Sequence, residues 1–169
     1  MTRNRERIEA LFRNGTADER AAVVHSCPPH PFREAAATLS QSDDVLHRVM
    51  AMGILTTAYC YGRACELGAD IALAGHTLGA EVLGSGRHDL QPETLSLLAV
   101  GAVNALRQLG RKDEALGVCD RLVRYHEELD AADLNVHSLR MARAELLLEL
   151  GRIREAEAAR EAALTAPPP

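Results

Sequence analysis

The chain has 169 residues, a net charge of −5, 47% hydrophobic residues and only 3% aromatic residues with no Trp. That length suffices for one domain, or one short helical array, that buries roughly two-thirds of its unfolded surface without disulfides or metals. An apolar fraction dominated by Ala and Leu favours closely packed helices over a β-sheet core, and an acidic balance with no strongly basic segment excludes the phosphate-binding surface that nucleic acids require.

The opening stretch, MTRNRERIEALFRNG, has no uninterrupted apolar run of the signal-peptide kind, and Glu6 and Glu9 do not suit a transit peptide. Ile8, Leu11 and Phe12 at helical spacing predict a helix over 5–13, with Asn14-Gly15 as its C-cap. Thr16-Ala17-Asp18-Glu19 has the form of a capping box and opens a second short helix through Val24. Cys27-Pro28-Pro29-His30-Pro31 breaks it, because prolines remove donors and hold φ. A third helix over 32–39 leads to Ser40-Gln41-Ser42-Asp43-Asp44, a run of cap-forming residues.

From there the periodicity predicts long helices in pairs. The first runs over 45–67, with Val45, Val49, Met52, Leu55, Tyr59 and Ala64 on an apolar stripe, and turns at Leu67-Gly68-Ala69 into a partner over 70–83. Gly84-Ser85-Gly86 makes the next turn, and Pro92 takes the first position of a helix over 92–109. Leu109-Gly110-Arg111 turns that helix into one over 112–129, Asp130–Asp133 cap a helix over 134–150, and a last helix covers 153–164 before Pro167-Pro168-Pro169. The expectation is all-α, with about nine helices mostly in antiparallel hairpins. Residues 1–44 form an N-terminal segment that caps or fills a groove, and 45–169 form the repeat domain. No run approaches the ~18 apolar residues of a membrane span.

The turns repeat. Leu109-Gly110-Arg111-Lys112-Asp113-Glu114-Ala115 aligns with Leu150-Gly151-Arg152-Ile153-Arg154-Glu155-Ala156 at a spacing of 41 residues, with a looser copy at Leu67–Ala72. At these residues the chain resembles the tetratricopeptide repeat family of helix–turn–helix units. Ala99, Val103, Leu106, Gly110, Ala115, Cys119 and Leu122 occupy the family's small, turn and bulky positions, with Cys119 where an aromatic is usual; Ala144, Leu147, Gly151, Ala156, Ala163 and Pro168 do so in the last copy, where Arg160 departs from the pattern. The resemblance covers Leu95–Pro169 well, Val45–Leu83 marginally and nothing upstream. Its period exceeds the usual ~34 residues, as in bacterial regulatory proteins that resemble the family.

The resemblance implies a right-handed α-solenoid of antiparallel helix hairpins with long repeats. It also implies an inner face lined by the first helix of each unit, at Ala58, Gly62, Leu97, Val100, Asn104, Arg107, Ser138, Met141 and Glu145. The expected function is a protein–protein interaction module, an adaptor or regulatory scaffold without enzyme activity. It would bind a peptide or a partner protein, including a larger effector or enzyme, through Tyr59, Arg63, Leu97, Val100, Asn104, Arg107, Met141 and Glu145; self-association is a further option. Asn104 and Arg107 on one side of a helix suit a partner's carboxylate or backbone amide. Of Tyr59 and Tyr61, one faces core and the other a groove or solvent.

The alternative is a small helical enzyme or ligand-sensing regulator with a pocket lined by His25, Cys27, His30, His47 and His76. Its chemistry is thinly signalled. Gly75-His76-Thr77-Leu78-Gly79 has Thr where a nucleophile elbow needs Ser, and no strand to present it. His126-Glu127-Glu128 lacks the second His of a zincin. His25, Cys27 and His30 match no zinc spacing, Cys60 and Cys65 are poorly spaced to bridge on one helix, and Asp43, Asp44 and His47 read better as a cap than as an acid–base pair. No phosphate-binding glycine motif is present. No metal and no cofactor are expected, and four Cys without a secreted framework suit a cytoplasmic protein with reduced thiols.

Overall fold

A computed structural model describes residues 2–86, 92–128 and 134–165. Within them the chain is all-α: α1 (Thr2–Asn14), α2 (Ala17–His25), α3 (Arg33–Gln41), α4 (Val45–Tyr61), α5 (Cys65–Gly84), α6 (Pro92–Gln108), α7 (Lys112–Glu128), α8 (Leu134–Glu149) and α9 (Ile153–Thr165). Consecutive helices pack on one another from α2 to α9, while α4 also touches α6, α6 also touches α8, and α1 lies against α5. No described helix is long and apolar enough to cross a membrane. The segments 130–133 and 167–169, read as a cap and a terminator, lie outside the described residues.

Local chemistry explains the boundaries. Thr16 accepts from the Glu19 amide at 3.3 Å while the Glu19 carboxylate accepts from the Thr16 amide at 2.8 Å, so the predicted capping box closes. Asp44 caps α4 by accepting from the Leu46 amide at 2.9 Å. Three helices end in the same Schellman turn: Arg111 N–H to Leu106 O at 3.0 Å, Arg152 N–H to Leu147 O at 2.9 Å, and Ala64 N–H to Tyr59 O at 2.8 Å. Gly110 and Gly151 supply the left-handed residue in the first two, at φ 72° and 75°.

The third turn corrects the sequence reading. It lies at Gly62-Arg63-Ala64, with Arg63 itself in the left-handed region at φ 62°, so α4 stops at Tyr61 and Cys60 and Cys65 fall on successive helices. Gly68 is a buried residue inside α5. A Cβ there would stand 2.8 Å from Cys60 Sγ and 3.3 Å from Thr56 O, so this glycine serves the close approach of α5 to α4. A glycine near the expected turn has two physical uses, and the tertiary contact selected the other one. Gly15 likewise lacks the positive φ expected of its cap position.

Among the described residues the core consists of two large adjoining clusters and a small third one around Val82 and Leu95. Ile8, Phe12, Val24 and Ala36 from the first three helices bury against Val49, Met52, Leu55 and Ile71, so residues 1–44 share the core of α4 and α5. The second cluster gathers Val103, Leu106, Leu116, Cys119, Leu139, Leu146 and Leu147 from α6–α8 with Ala156 and Ala159 from α9, and Leu73 packs against both clusters. The buried Arg20 ties the N-terminal helices together, donating to the carbonyls of Gly15, Ser40 and Ser42. Those contacts satisfy backbone acceptors at the C-terminal ends of α1 and α3.

Candidate functional site

Helices α4, α6 and α8 follow one another along one side of the molecule and leave two hollows there. The first, about 410 Å³, lies between α4 and α6 and is lined by Gly53, Thr57, Cys60, Tyr61, Leu97, Asn104 and Gln108 among others. The second, about 370 Å³, lies between α6 and α8 and shares Val100 and Asn104 with it. Neither takes a lining residue from 1–44.

Backbone spacing makes the first hollow. Gly101 lets α6 come close to α4, since a Cβ there would sit 2.8 Å from Thr56 Cγ2. Gly53, one turn before Thr57 on α4, has nothing within 4 Å of where its Cβ would be. A mid-helix glycine costs roughly 1 kcal/mol relative to Ala, and here no neighbour requires it. Its consequence is open space in the groove floor, flanked by exposed Leu97 and by the amides of Asn104 and Gln108. Gln108 Oε1 accepts from Cys65 Sγ at 3.0 Å, whereas Asn104 makes no hydrogen bond within the described chain. An exposed carboxamide offers both a donor and an acceptor to a peptide group.

The predicted contact residues separate into groups. Leu97, Val100 and Asn104 line the first hollow; Val100, Asn104, Arg107, Met141 and Glu145 line the second; Arg63 is exposed at the α4–α5 turn. Two of the expectations need correction. Tyr59 is only 3% exposed and its hydroxyl is held by Ser26 Oγ and Val23 O, each at 2.8 Å, whereas Tyr61 is 81% exposed and lines the groove. Two tyrosines two residues apart on a helix point to different sides, and only the tertiary contacts of Tyr59 with Val23 and Ser26 decided which went inward. Arg107 is the second. Its guanidinium donates to Glu145 Oε2 at 2.6 Å and to Glu149 Oε1 at 2.8 Å, with Lys112 Nζ 3.1 Å from Glu149 Oε2. Arg107 therefore pins α6 to α8 and is already engaged with the chain's own carboxylates; together with Lys112 it holds the Glu149 carboxyl below the usual range.

The His and Cys side chains are tied up in separate local contacts. His25 Nδ1 meets Ala21 O at 2.7 Å, His30 accepts from the Phe32 amide at 3.3 Å, and His47 pairs with Ser42 Oγ at 2.9 Å. His76 and His126 meet in the interior, Nε2 to Nε2 at 3.4 Å, with the Tyr125 ring edge-on to both. Burial first, and then the neighbouring His126, push the His76 pKa down to about 4. All four cysteines are free thiols, and burial raises Cys60 and Cys119 to about 12, far from nucleophilic activation. Among the described residues no three His, Cys, Asp or Glu side chains are placed to hold a metal ion.

Sequence reasoning missed Gly53 as a groove residue and, of the two tyrosines it placed on opposite sides, chose Tyr59 where Tyr61 lines the groove. A glycine with open space around it looks, in one dimension, like a glycine needed for packing. No protein-family model matches the chain, and no curated protein and no solved structure matches it.

Proposed function

We propose that the chain is a protein-interaction module, a right-handed helical array of the tetratricopeptide-like kind, that takes a peptide segment of a partner protein in the groove between α4 and α6. The observation that carries this reading is the open hollow of about 410 Å³ around Gly53, with an apolar wall at Leu97, an exposed aromatic at Tyr61 and a free carboxamide at Asn104. The mixture suits a peptide: aliphatic and aromatic surface for a side chain, and an amide for its backbone. Contacts of α4 with α6 and of α6 with α8 support a stack of first helices along one face. In this reading residues 1–44 cap the array, since they share its core and leave the groove open. The module would serve as an adaptor or regulator in the cytoplasm.

Filling the groove without harming the fold tests this. Gly53→Leu introduces a side chain where nothing stands within 4 Å, and Gly117→Leu is its control on α7, where the nearest atom to a new Cβ is Arg121 Nη1 at 3.9 Å. The wild-type chain and both variants would be used as bait in lysate of the source organism. A partner retained by wild type and by Gly117→Leu but lost by Gly53→Leu supports the groove; retention by all three refutes it.

A further inference from the structure

Helix α9 closes the described array, and one side of it has no covering helix. The hollow it forms with α8, about 430 Å³, is lined by Ala144, Leu148, Ile153, Glu157 and Arg160 among others. Ile153 is 57% and Leu164 63% exposed, and Leu148 beside Ile153 in the hollow is 60% exposed, so this end of the array carries large aliphatic side chains that no described helix covers. The inward row of α9, Ala156, Ala159 and Ala163, is buried, so the exposed row is a second and separate stripe.

That stripe consists of Ile153, Glu157, Arg160 and Leu164, at positions i, i+4, i+7 and i+11 of one helix. Its order is apolar, acidic, basic, apolar. Reversed end to end, the order is again apolar at both ends, with opposite charges facing each other in the middle. Two α9 helices laid antiparallel about a two-fold axis between Ala158 and Ala159 bring Ile153 level with Leu164 of the partner subunit. The same axis brings Glu157 level with Arg160 of the partner subunit, so one register satisfies all four rows of contact. Sliding either helix by three residues sets Glu157 against its own copy or Arg160 against its own copy, which is repulsive. Within the described chain neither Glu157 nor Arg160 has a hydrogen bond or ion pair, whereas the neighbouring Glu155 is held by Arg152 at 2.6 Å. The two charges are thus available to a second copy.

We propose that this stripe is a homodimer interface, in which two copies of the chain pair through antiparallel α9 helices about a two-fold axis. A closed isologous contact of this kind uses the same residues on both sides and leaves the α4–α6 groove of each copy open. The proposal stands independently of what that groove binds.

The charge order makes the test specific. Mass is measured by light scattering or sedimentation over a micromolar concentration range for the wild type, Glu157→Arg, Arg160→Glu and the double variant, with circular dichroism to check folding. The wild type is expected to shift from monomer to dimer mass as concentration rises. Each single reversal creates two like-charge contacts per dimer and should weaken association about tenfold or more. The double variant should restore the homodimer, and mixing the two single variants should give a heterodimer of wild-type affinity. A wild type that stays monomeric throughout overturns the proposal, as does a dimer indifferent to the single reversals or one that neither combination restores.

Discussion

Acidification provides a test of how the interior between α5 and α7 is built. His76 is 7% exposed and contacts His126 and Tyr125, and its pKa falls from 6.5 to about 4 on folding. A histidine kept neutral in this way costs nothing above pH 6.5, where both folded and unfolded forms are neutral. As pH falls below 6.5 the unfolded chain binds a proton that the folded chain refuses, so stability is lost progressively and the loss is complete near pH 4. At 1.36 kcal/mol per pKa unit the loss attributable to His76 is ~2 kcal/mol by about pH 5 and ~3 kcal/mol at the acid end. The paired carboxyls do not confuse this window. Glu81, held low by Arg13, and Glu149, held low by Arg107, begin to withdraw their contributions only below 4.5. Urea unfolding of the wild type and of His76→Gln at pH 7 and pH 5 measures the difference. The wild type should lose ~2 kcal/mol more than the variant, equivalent to roughly 4–8 °C in Tm for a domain of this size. Equal losses in both proteins would show that His76 takes up a proton in the folded state and that the interior there is open to water.

The left-handed Arg63 predicts a stabilising substitution: Arg63→Gly relieves the Cβ contact at φ 62° and should gain about 0.5–1 kcal/mol in chemical denaturation, while Gly110→Ala at φ 72° should lose at least as much. Gly53→Ala meets no neighbour and should also stabilise, by up to ~1 kcal/mol, whereas Gly68→Ala, with Cys60 Sγ 2.8 Å from the new Cβ, should destabilise. A gain at Gly68 would contradict the close approach of α4 and α5. Arg20→Ala strands the buried carbonyl of Ser40 and the part-buried carbonyls of Gly15 and Ser42 and should cost about 2 kcal/mol, with Arg20→Lys rescuing little because one ammonium does not span three acceptors. Full rescue by Lys, read from urea midpoints, would sink that account.

Much of the architecture was written in local signals. Cap chemistry at Thr16 and Asp44, the turn glycines Gly110 and Gly151, Pro92, and the apolar periodicity of α6 and α7 each act within a few residues of themselves, so the sequence by itself determined an all-helical chain and most of its helix boundaries. Leu97, Val100 and Asn104 were expected on an inner face only through the resemblance to tetratricopeptide repeats, and they lie on one side of α6 and line the α4–α6 hollow. What went astray were readings that turned on one particular tertiary neighbour. Gly68 looked like a turn until α5 was seen crossing α4, and Tyr59 and Tyr61 were interchangeable until Val23 and Ser26 held the hydroxyl of one of them. Arg107 looked free until Glu145 and Glu149 arrived from the next hairpin, 38 and 42 residues further along the chain. Helix formation is a local equilibrium of caps, propensities and turns, and the sequence carries it openly. Which face is buried, which charge is paired and which glycine leaves a hollow are decided between helices distant in the chain, and only the tertiary structure holds those distances.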